Sequence, residues 1–181
     1  LDFAGGTVVH MSAGFAALAG AYVLGKREEK QHQPANIPFI MLGTGMLWFG
    51  WFGFNAGSAL AANGLAVQAF ATTNMASASA MITWVMFDAL VGRKISAMGA
   101  CIGAVVGLVA ITPAAGFVNP GQSIFIGFVA AIVSNIAVYY KQKTSLDDTL
   151  DVFPCHGLGG IVGMILTAVF AKDVGLIDGN T

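Results

Sequence analysis

Charge is what this sequence has least of. Only 9% of its 181 residues are charged, whereas 56% are apolar. A soluble domain carries roughly 25% charged residues. No stretch of the chain offers the polar outer face that a helix needs toward water. The composition therefore predicts a protein of several membrane-spanning helices rather than a soluble domain.

Basic residues and cysteines are scarce as well. Eight Lys and Arg against nine Asp and Glu give a net charge of −1, and no basic stripe exists, which excludes a nucleic-acid partner. The two cysteines, Cys101 and Cys155, lie in apolar context and are interpreted as buried, inert thiols. We expect neither a cofactor nor a metal site. Because the chain has no initiator Met and no signal-like start, we expect a piece of a longer polypeptide.

Apolar residues group into six segments, each near the ~20 residues that a spanning helix needs. The predicted spans cover approximately residues 3–25, 37–58, 67–91, 95–112, 121–140 and 152–171. Asp88 is the one charge inside a segment. It lies about one helical turn before Arg93, near the end of its span, where a side chain can reach the membrane interface. We therefore interpret it as structural. The fold class predicted is all-α, a polytopic transmembrane helix bundle.

The distribution of Lys and Arg predicts the orientation of these spans. Seven of the eight basic residues follow the first, third or fifth span: Lys26, Arg27, Lys30, Arg93, Lys94, Lys141 and Lys143. The positive-inside rule makes those loops cytoplasmic. The sequence therefore predicts an integral protein of the cell membrane, with both termini of this chain extracytoplasmic.

Glycines recur at the four-residue spacing that lets helices approach closely in lipid. The spacing occurs at Gly53 and Gly57 in the second segment, across 99–107 in the fourth, and at Gly159 and Gly163 in the sixth. These glycines are predicted to be packing residues.

Two short stretches place an acid before a histidine at the start of an apolar segment. They run from Asp2 to His10 (DFAGGTVVH) and from Asp151 to His156 (DVFPCH). Eight helical residues at 1.5 Å each would put His10 about 12 Å deep, near the middle of a ~30 Å core. Since the two spans run in opposite directions, the pattern indicates an inverted repeat whose halves meet at the midplane.

The second stretch needs a different backbone to reach that depth. Five helical residues would carry His156 only about 7.5 Å inward. Pro154 disfavours helix at Phe153 and supplies no N–H of its own. We therefore expect residues 151–156 to be non-helical, an extended inner-vestibule segment, with the helix starting near Gly157.

Ionisable side chains inside a span are costly and by default indicate a transport path. A neutral imidazole has one donor and one acceptor, so two rings can bond each other and still present a nitrogen to a small polar solute. The alternative is a pair of ordinary buried histidines satisfied by carbonyl groups. His32, in the charged loop, is interpreted as a solvated residue.

The second segment ends in an aromatic-rich stretch, residues 48–58 (WFGWFGFNAGS). Its rings fit either an interfacial aromatic belt or a vestibule whose faces attract a cation. Composition alone leaves both open.

Four motifs together resemble the ammonium transporter (Amt/MEP/Rh) family. In chain order they are residues 2–10, 50–58, 112–116 (TPAAG) and 151–157. The resemblance implies an eleven-span fold of two inverted five-helix repeats and a last helix, assembled as trimers with one pore per subunit. This chain resembles six of those spans, the fifth to the tenth.

The resemblance also implies residue roles. His10 and His156 correspond to the paired pore histidines, Phe54 to a gating phenylalanine at the outer mouth, and Ser58 to the vestibule serine that bonds incoming ammonium. Trp51 and Thr112 match pore-lining positions.

The acids receive structural roles. Asp2 matches the acid beneath the outer vestibule, and we expect it to cap its own helix rather than bind the solute. Asp151 marks the inner end of the second stretch.

The function that this resemblance implies is transport of ammonium, not enzymatic catalysis. Ammonium is recruited at the outer vestibule and deprotonated, because a bare cation in an apolar lumen is costly, and ammonia then passes the histidine pair. The implied partners are ammonium or ammonia, the lipid bilayer, two further subunits of a homotrimer and a PII-type regulator on the cytoplasmic face.

Three alternatives stay open at this point: a gas channel of the Rh type, an ammonium sensor domain of a signalling protein, and an electron carrier whose two histidines ligate haem.

Overall fold

A computed structural model describes residues 1–28, 34–177 and 179, and Lys30 and His32 lie outside them. The described residues form six α-helices and two π-helical turns, one before the first helix and one before the last. The helices are α1 (Ser12–Leu24), α2 (Ile37–Gly57), α3 (Gly64–Leu90), α4 (Ala97–Ile111), α5 (Pro120–Lys141) and α6 (Gly159–Phe170). The first turn is Gly6–Met11 and the second turn is Phe153–Leu158. The predicted all-α fold is confirmed.

Side chains that accept the orphan amides of the first helical turn mark most helix starts. Asn36, Asn63 and Ser96 cap α2, α3 and α4. Asn119 caps α5 in a reciprocal arrangement in which Gln122 bonds back to the Asn119 amide. These caps explain why short polar residues occur at the breaks between apolar segments.

Four helical segments are long and apolar enough to cross a membrane: Gly6–Leu24, Ile37–Gly57, Pro120–Lys141 and Phe153–Phe170. Helix α4 is apolar but has only 15 residues. Helix α3 has 27 residues and carries polar side chains that are buried within the bundle, among them Thr72, Thr73 and Ser77. Its lower hydropathy therefore reflects inward-facing hydroxyls.

Successive helices run in alternate directions, so one end of the bundle collects the basic residues. At this basic end, Arg27 after α1 pairs with Asp147 at 2.6 Å, and Arg93 after α3 reaches Asn135 of α5 at 2.7 Å. At the opposite end, the amides of residues 3 and 4 bond to the carbonyls of 113 and 112 beyond α4.

Asp88 belongs to the network at the basic end. Its carboxylate accepts hydrogen bonds from Asn135 Nδ2 at 3.0 Å and from Arg93 Nη1 at 3.2 Å. The structural interpretation of this acid is consistent with these contacts.

The core lies between α3, α4 and α5, where small residues allow close packing. A Cβ on Gly107 would come within 2.5 Å of the Ala76 carbonyl, and one on Gly103 within 2.7 Å of Trp84 Cβ. Gly163 of α6 is similarly crowded by Ala110. The predicted packing role holds for these glycines. For Gly53 and Gly57 it stays a prediction, since no described residue lies within 4 Å of a Cβ at either position.

The expectation of a non-helical segment over residues 151–156 is wrong. The backbone turns helical at Val152 and continues through the second turn into α6. Pro154 lies in the first turn of this helix, where a missing N–H removes no intrahelical bond and the fixed φ suits a helix. The irregular residue is Asp151, with φ at 53°.

Candidate functional site

The two histidines meet where the two π-helical turns cross, one from each turn. His156 Nδ1 lies 3.3 Å from His10 Nδ1, and the ring centroids are 5.4 Å apart with the planes at 46°. Single π-helical turns within α-helices are rare and occur frequently at functional sites. The structure thus brings together the two residues that the sequence singled out.

The first turn is held by Asp2. Its carboxylate accepts hydrogen bonds from the amides of Gly5, Gly6 and Thr7 at 3.1, 2.6 and 2.9 Å. Gly5 has φ at 115°, a conformation that favours glycine. Asp2 therefore caps its own helix, as expected.

The acid that plays this part in the second turn is Asp148, not Asp151. Asp148 precedes His156 by eight residues, as Asp2 precedes His10, and its Oδ2 accepts the Phe153 amide at 2.7 Å. Asp151 instead lies 2.7 Å from Lys141 Nζ in an ion pair. The equal spacing was visible in the sequence and would have identified the right residue.

Two glycines that the sequence analysis missed let the turns cross. Gly14 and Gly160 each follow a histidine by four residues. A Cβ on Gly14 would collide with the backbone of Gly157, and one on Gly160 would lie 3.0 Å from the Gly6 carbonyl. The rings can touch because each half presents bare backbone to the other.

Behind His10 lies Thr112, which is fully buried. Its Oγ1 is 3.2 Å from His10 Nε2, accepts from Trp51 Nε1 at 2.9 Å and donates to the Leu108 carbonyl at 2.8 Å. Thr112 thus anchors the ring from behind, and its implied position along the pore stays a prediction.

Aromatic rings of α2 cover His10 on the other side. The Trp51 indole stacks on the imidazole, with centroids 5.2 Å apart and planes at 17°, and Phe54 lies edge-on at 6.1 Å. An open groove of about 800 Å³ runs along this surface, lined by His10, Trp51 and Phe54 among others. The aromatic-rich end of α2 therefore faces the groove that reaches His10.

Ser58 stands one turn beyond Phe54 at the end of α2. Its hydroxyl donates to the Phe54 carbonyl at 2.9 Å, which leaves its oxygen lone pairs free to accept. The structure places it next to the aromatic cluster and apart from the histidine contact.

A second cavity, of about 350 Å³, lies on the His156 side and is also lined by Asp151 and Cys155. It shares Ile40, Thr44 and Leu47 with the groove on the His10 side. The histidine pair therefore stands between two cavities that border the same helix.

The geometry of the pair rules out haem ligation between the rings. Two nitrogens in contact at 3.3 Å leave no room for an iron and its porphyrin, and His10 Nε2 faces Thr112. Among the described residues, no group of three His, Cys, Asp or Glu side chains could hold a metal ion. The haem alternative fails on this contact.

The family model described as Ammonium Transporter Family matches residues 1–180. This chain belongs to the ammonium transporter family. It is 51% identical over 186 residues to an ammonium transporter from Aquifex aeolicus, an alignment that covers 99% of this chain and 44% of that protein. The chain thus spans less than half the length of this curated relative.

Solved structures agree with the family assignment. The crystal structure of Saccharomyces cerevisiae Mep2 superposes with a TM-score of 0.88 at 41% identity, covering 96% of this chain and 40% of that one. A structure described as a sensor Amt protein superposes with a TM-score of 0.91 at 34% identity, covering 100% of this chain and 47% of its own. The chain therefore has part of the transporter fold.

Proposed function

We propose that the full-length protein carries ammonium across a membrane and that the histidine pair lies on the path. The observation that supports this most is the Nδ1–Nδ1 contact between two cavities, at the crossing of the first and second turns. A pair of imidazoles that serves only stability would not need a groove on one side and a cavity on the other.

Recruitment of the cation is assigned to the aromatic end of α2. A ring face attracts a cation by about 0.5–2 kcal/mol depending on desolvation, and Trp51 and Phe54 both line the groove. The free lone pairs of Ser58 suit an N–H donor at the rim. Ammonium is thus held where it is still partly hydrated.

Deprotonation precedes entry, because carrying an unpaired charge into an apolar interior costs far more than moving a neutral amine. Ammonia then passes the histidine pair, where the open side of His156 can hydrogen-bond to it. The released proton passes to water in the open groove, because both ring nitrogens of His10 are already engaged by Thr112 and His156.

The orientation is part of the proposal. The basic end, with Arg27, Arg93 and Lys141, is cytoplasmic by the positive-inside rule, and the His10 groove opens from outside. The six helices are six spans, and both ends of this chain are extracytoplasmic. The family membership motivates a homotrimer in the cell membrane and a PII-type regulator on the basic end.

The test is ammonium-evoked current and uptake by the full-length protein in lipid vesicles. His10→Asp is expected to change both by more than about tenfold, a difference of roughly 1.4 kcal/mol or more in the height of the barrier. Thr167→Val is the control, since this buried hydroxyl bonds within its own helix, to the Gly163 carbonyl at 2.7 Å.

Unchanged uptake and current in His10→Asp would show that the pair is not the path. Ammonia flux that is independent of pH and carries no current in the wild type would indicate a gas channel instead.

An ammonium sensor is the second candidate, favoured by the likeness to the sensor Amt protein. A sensor would bind ammonium without net uptake and would pass the signal to a domain encoded elsewhere in the same polypeptide. The full-length sequence, read together with the uptake assay, separates the two.

A further inference from the structure

Thr112 has three hydrogen-bonding neighbours but only one proton to give. The Leu108 carbonyl, Trp51 Nε1 and His10 Nε2 lie 2.8, 2.9 and 3.2 Å from its Oγ1. An indole N–H can only donate and a carbonyl can only accept. The hydroxyl proton must therefore go either to Leu108 or to His10.

The end of α4 assigns that proton to Leu108. The Thr112 amide bonds to the Val109 carbonyl at 3.2 Å, one residue short of the regular α-helical partner. Leu108 is fully buried, so its carbonyl has no access to water. The Thr112 hydroxyl therefore donates to the Leu108 carbonyl in place of the Thr112 amide. Its Oγ1 can then only accept a hydrogen bond from His10.

We propose that Thr112 fixes the tautomers of the histidine pair. His10 carries its proton on Nε2 and donates it to Thr112. His10 Nδ1 is then an acceptor, and His156 donates from Nδ1 across the 3.3 Å contact. His156 Nε2 is the one unprotonated nitrogen of the pair that is not used within it.

The opposite tautomers would set two lone pairs against each other. With its proton on Nδ1, His10 would face Thr112 Oγ1 through the bare Nε2 at 3.2 Å. The only remedy is for the hydroxyl to rotate away from Leu108, which leaves a buried carbonyl without that donor, and such groups are rarely left unpaired.

With these tautomers, the two sides of the histidine pair are chemically different. The His156 ring lines the cavity toward the basic end, and the described residues make no hydrogen bond to its Nε2. The acceptor that the pair offers a solute therefore lies on the inner side of the contact. This consequence rests on the proposed function, whereas the tautomers rest on the hydrogen bonds alone.

The experiment is ¹⁵N spectroscopy of the full-length protein in lipid vesicles with ¹⁵N-labelled histidine. Protonated and bare imidazole nitrogens resonate apart, and His156→Gln identifies the signals of the pair. The variants are Thr112→Val, Thr112→Ser and, as the matched control, Thr167→Val. Thr167 is another buried threonine whose hydroxyl bonds only within its own helix, to Gly163.

The wild type should show Nε2–H on His10 and Nδ1–H on His156, kept by Thr112→Ser and by Thr167→Val. Thr112→Val should give a mixture of tautomers, with the His10 Nε2–H population falling at least about twofold. The same ammonium uptake assay is run in parallel on each variant.

A bare Nε2 on His10 in the wild type, or a Thr112→Val spectrum identical to wild type with the fold intact by circular dichroism, would overturn the inference. The predicted spectra together with no ammonium uptake by the wild type would support the tautomers and contradict the proposed function. The two failures are therefore distinguishable.

Discussion

The two π-helical turns have the same residue spacing but different hydrogen bonds. Each has an acid eight residues before its histidine and a glycine four residues after it. In the first turn, Asp2 accepts three amides and both nitrogens of His10 are engaged. In the second turn, Asp148 accepts one amide and, among the described residues, only Nδ1 of His156 is bonded.

This difference in hydrogen bonding indicates that the two turns have different roles. The first turn is locked by Asp2, Thr112 and the Trp51 stack, so His10 is a fixed reference. The second turn leaves one side of His156 open to a cavity. A repeat that duplicates backbone geometry thus need not duplicate chemistry, and substitutions at matched positions can measure how far the symmetry extends.

The largest effect is expected at the crossing itself. Gly14→Ala places a methyl group against the Gly157 backbone, whereas Gly160→Ala meets the Gly6 carbonyl and the flexible Met11 side chain at 3.0 Å. Overpacking costs about 1–3 kcal/mol, and we expect Gly14→Ala at or above the top of that range and Gly160→Ala near its lower end. Thermal unfolding in detergent measures both.

Gly20→Ala serves as the matched control, since it adds the same methyl group to α1 with no described residue within 4 Å of the new Cβ. It should cost less than Gly14→Ala. Equal losses of stability in Gly14→Ala and Gly160→Ala would contradict this expectation. They would mean that the two sides of the crossing accommodate an added methyl group equally well.

A smaller effect is expected at the caps. Asp2→Asn loses the charge and at least one of three amide bonds, while Asp148→Asn keeps an oxygen for the single Phe153 amide. Losing a helix cap costs about 0.5–2 kcal/mol. The stability cost of Asp2→Asn should lie in the upper half of this range, and that of Asp148→Asn near or below its lower limit.

The control for the caps is Asp173→Asn, an exposed acid with φ at 64° that Asn also tolerates. Chemical denaturation of the three variants gives the ranking. A larger loss for Asp148→Asn than for Asp2→Asn would reverse the comparison between the two turns.

Much of the fold follows from composition. An apolar chain with nearly all of its charges at the breaks had to form membrane helices. The Asn and Ser residues at those breaks became caps because short polar side chains accept the orphan amides. The two histidines were identified because an ionisable residue in an apolar segment needs a partner.

The rest depended on tertiary contacts. Pro154 predicts a helix break from sequence alone, because its position at the start of a helix is fixed only by the tertiary fold. The roles of Gly14 and Gly160 depend on which backbone faces them. The role of Thr112 depends on a hydrogen bond 102 residues away along the chain, which no local pattern encodes.

A double-mutant cycle tests most directly the central claim that the two histidines act as one unit on the ammonium path. Uptake by the full-length protein would be compared for wild type, His10→Ala, His156→Ala and the double variant. Residues that function as a unit are strongly non-additive, so each single substitution should cost about as much uptake as the pair. Losses that multiply in the double variant, or single variants with wild-type uptake, would contradict the account.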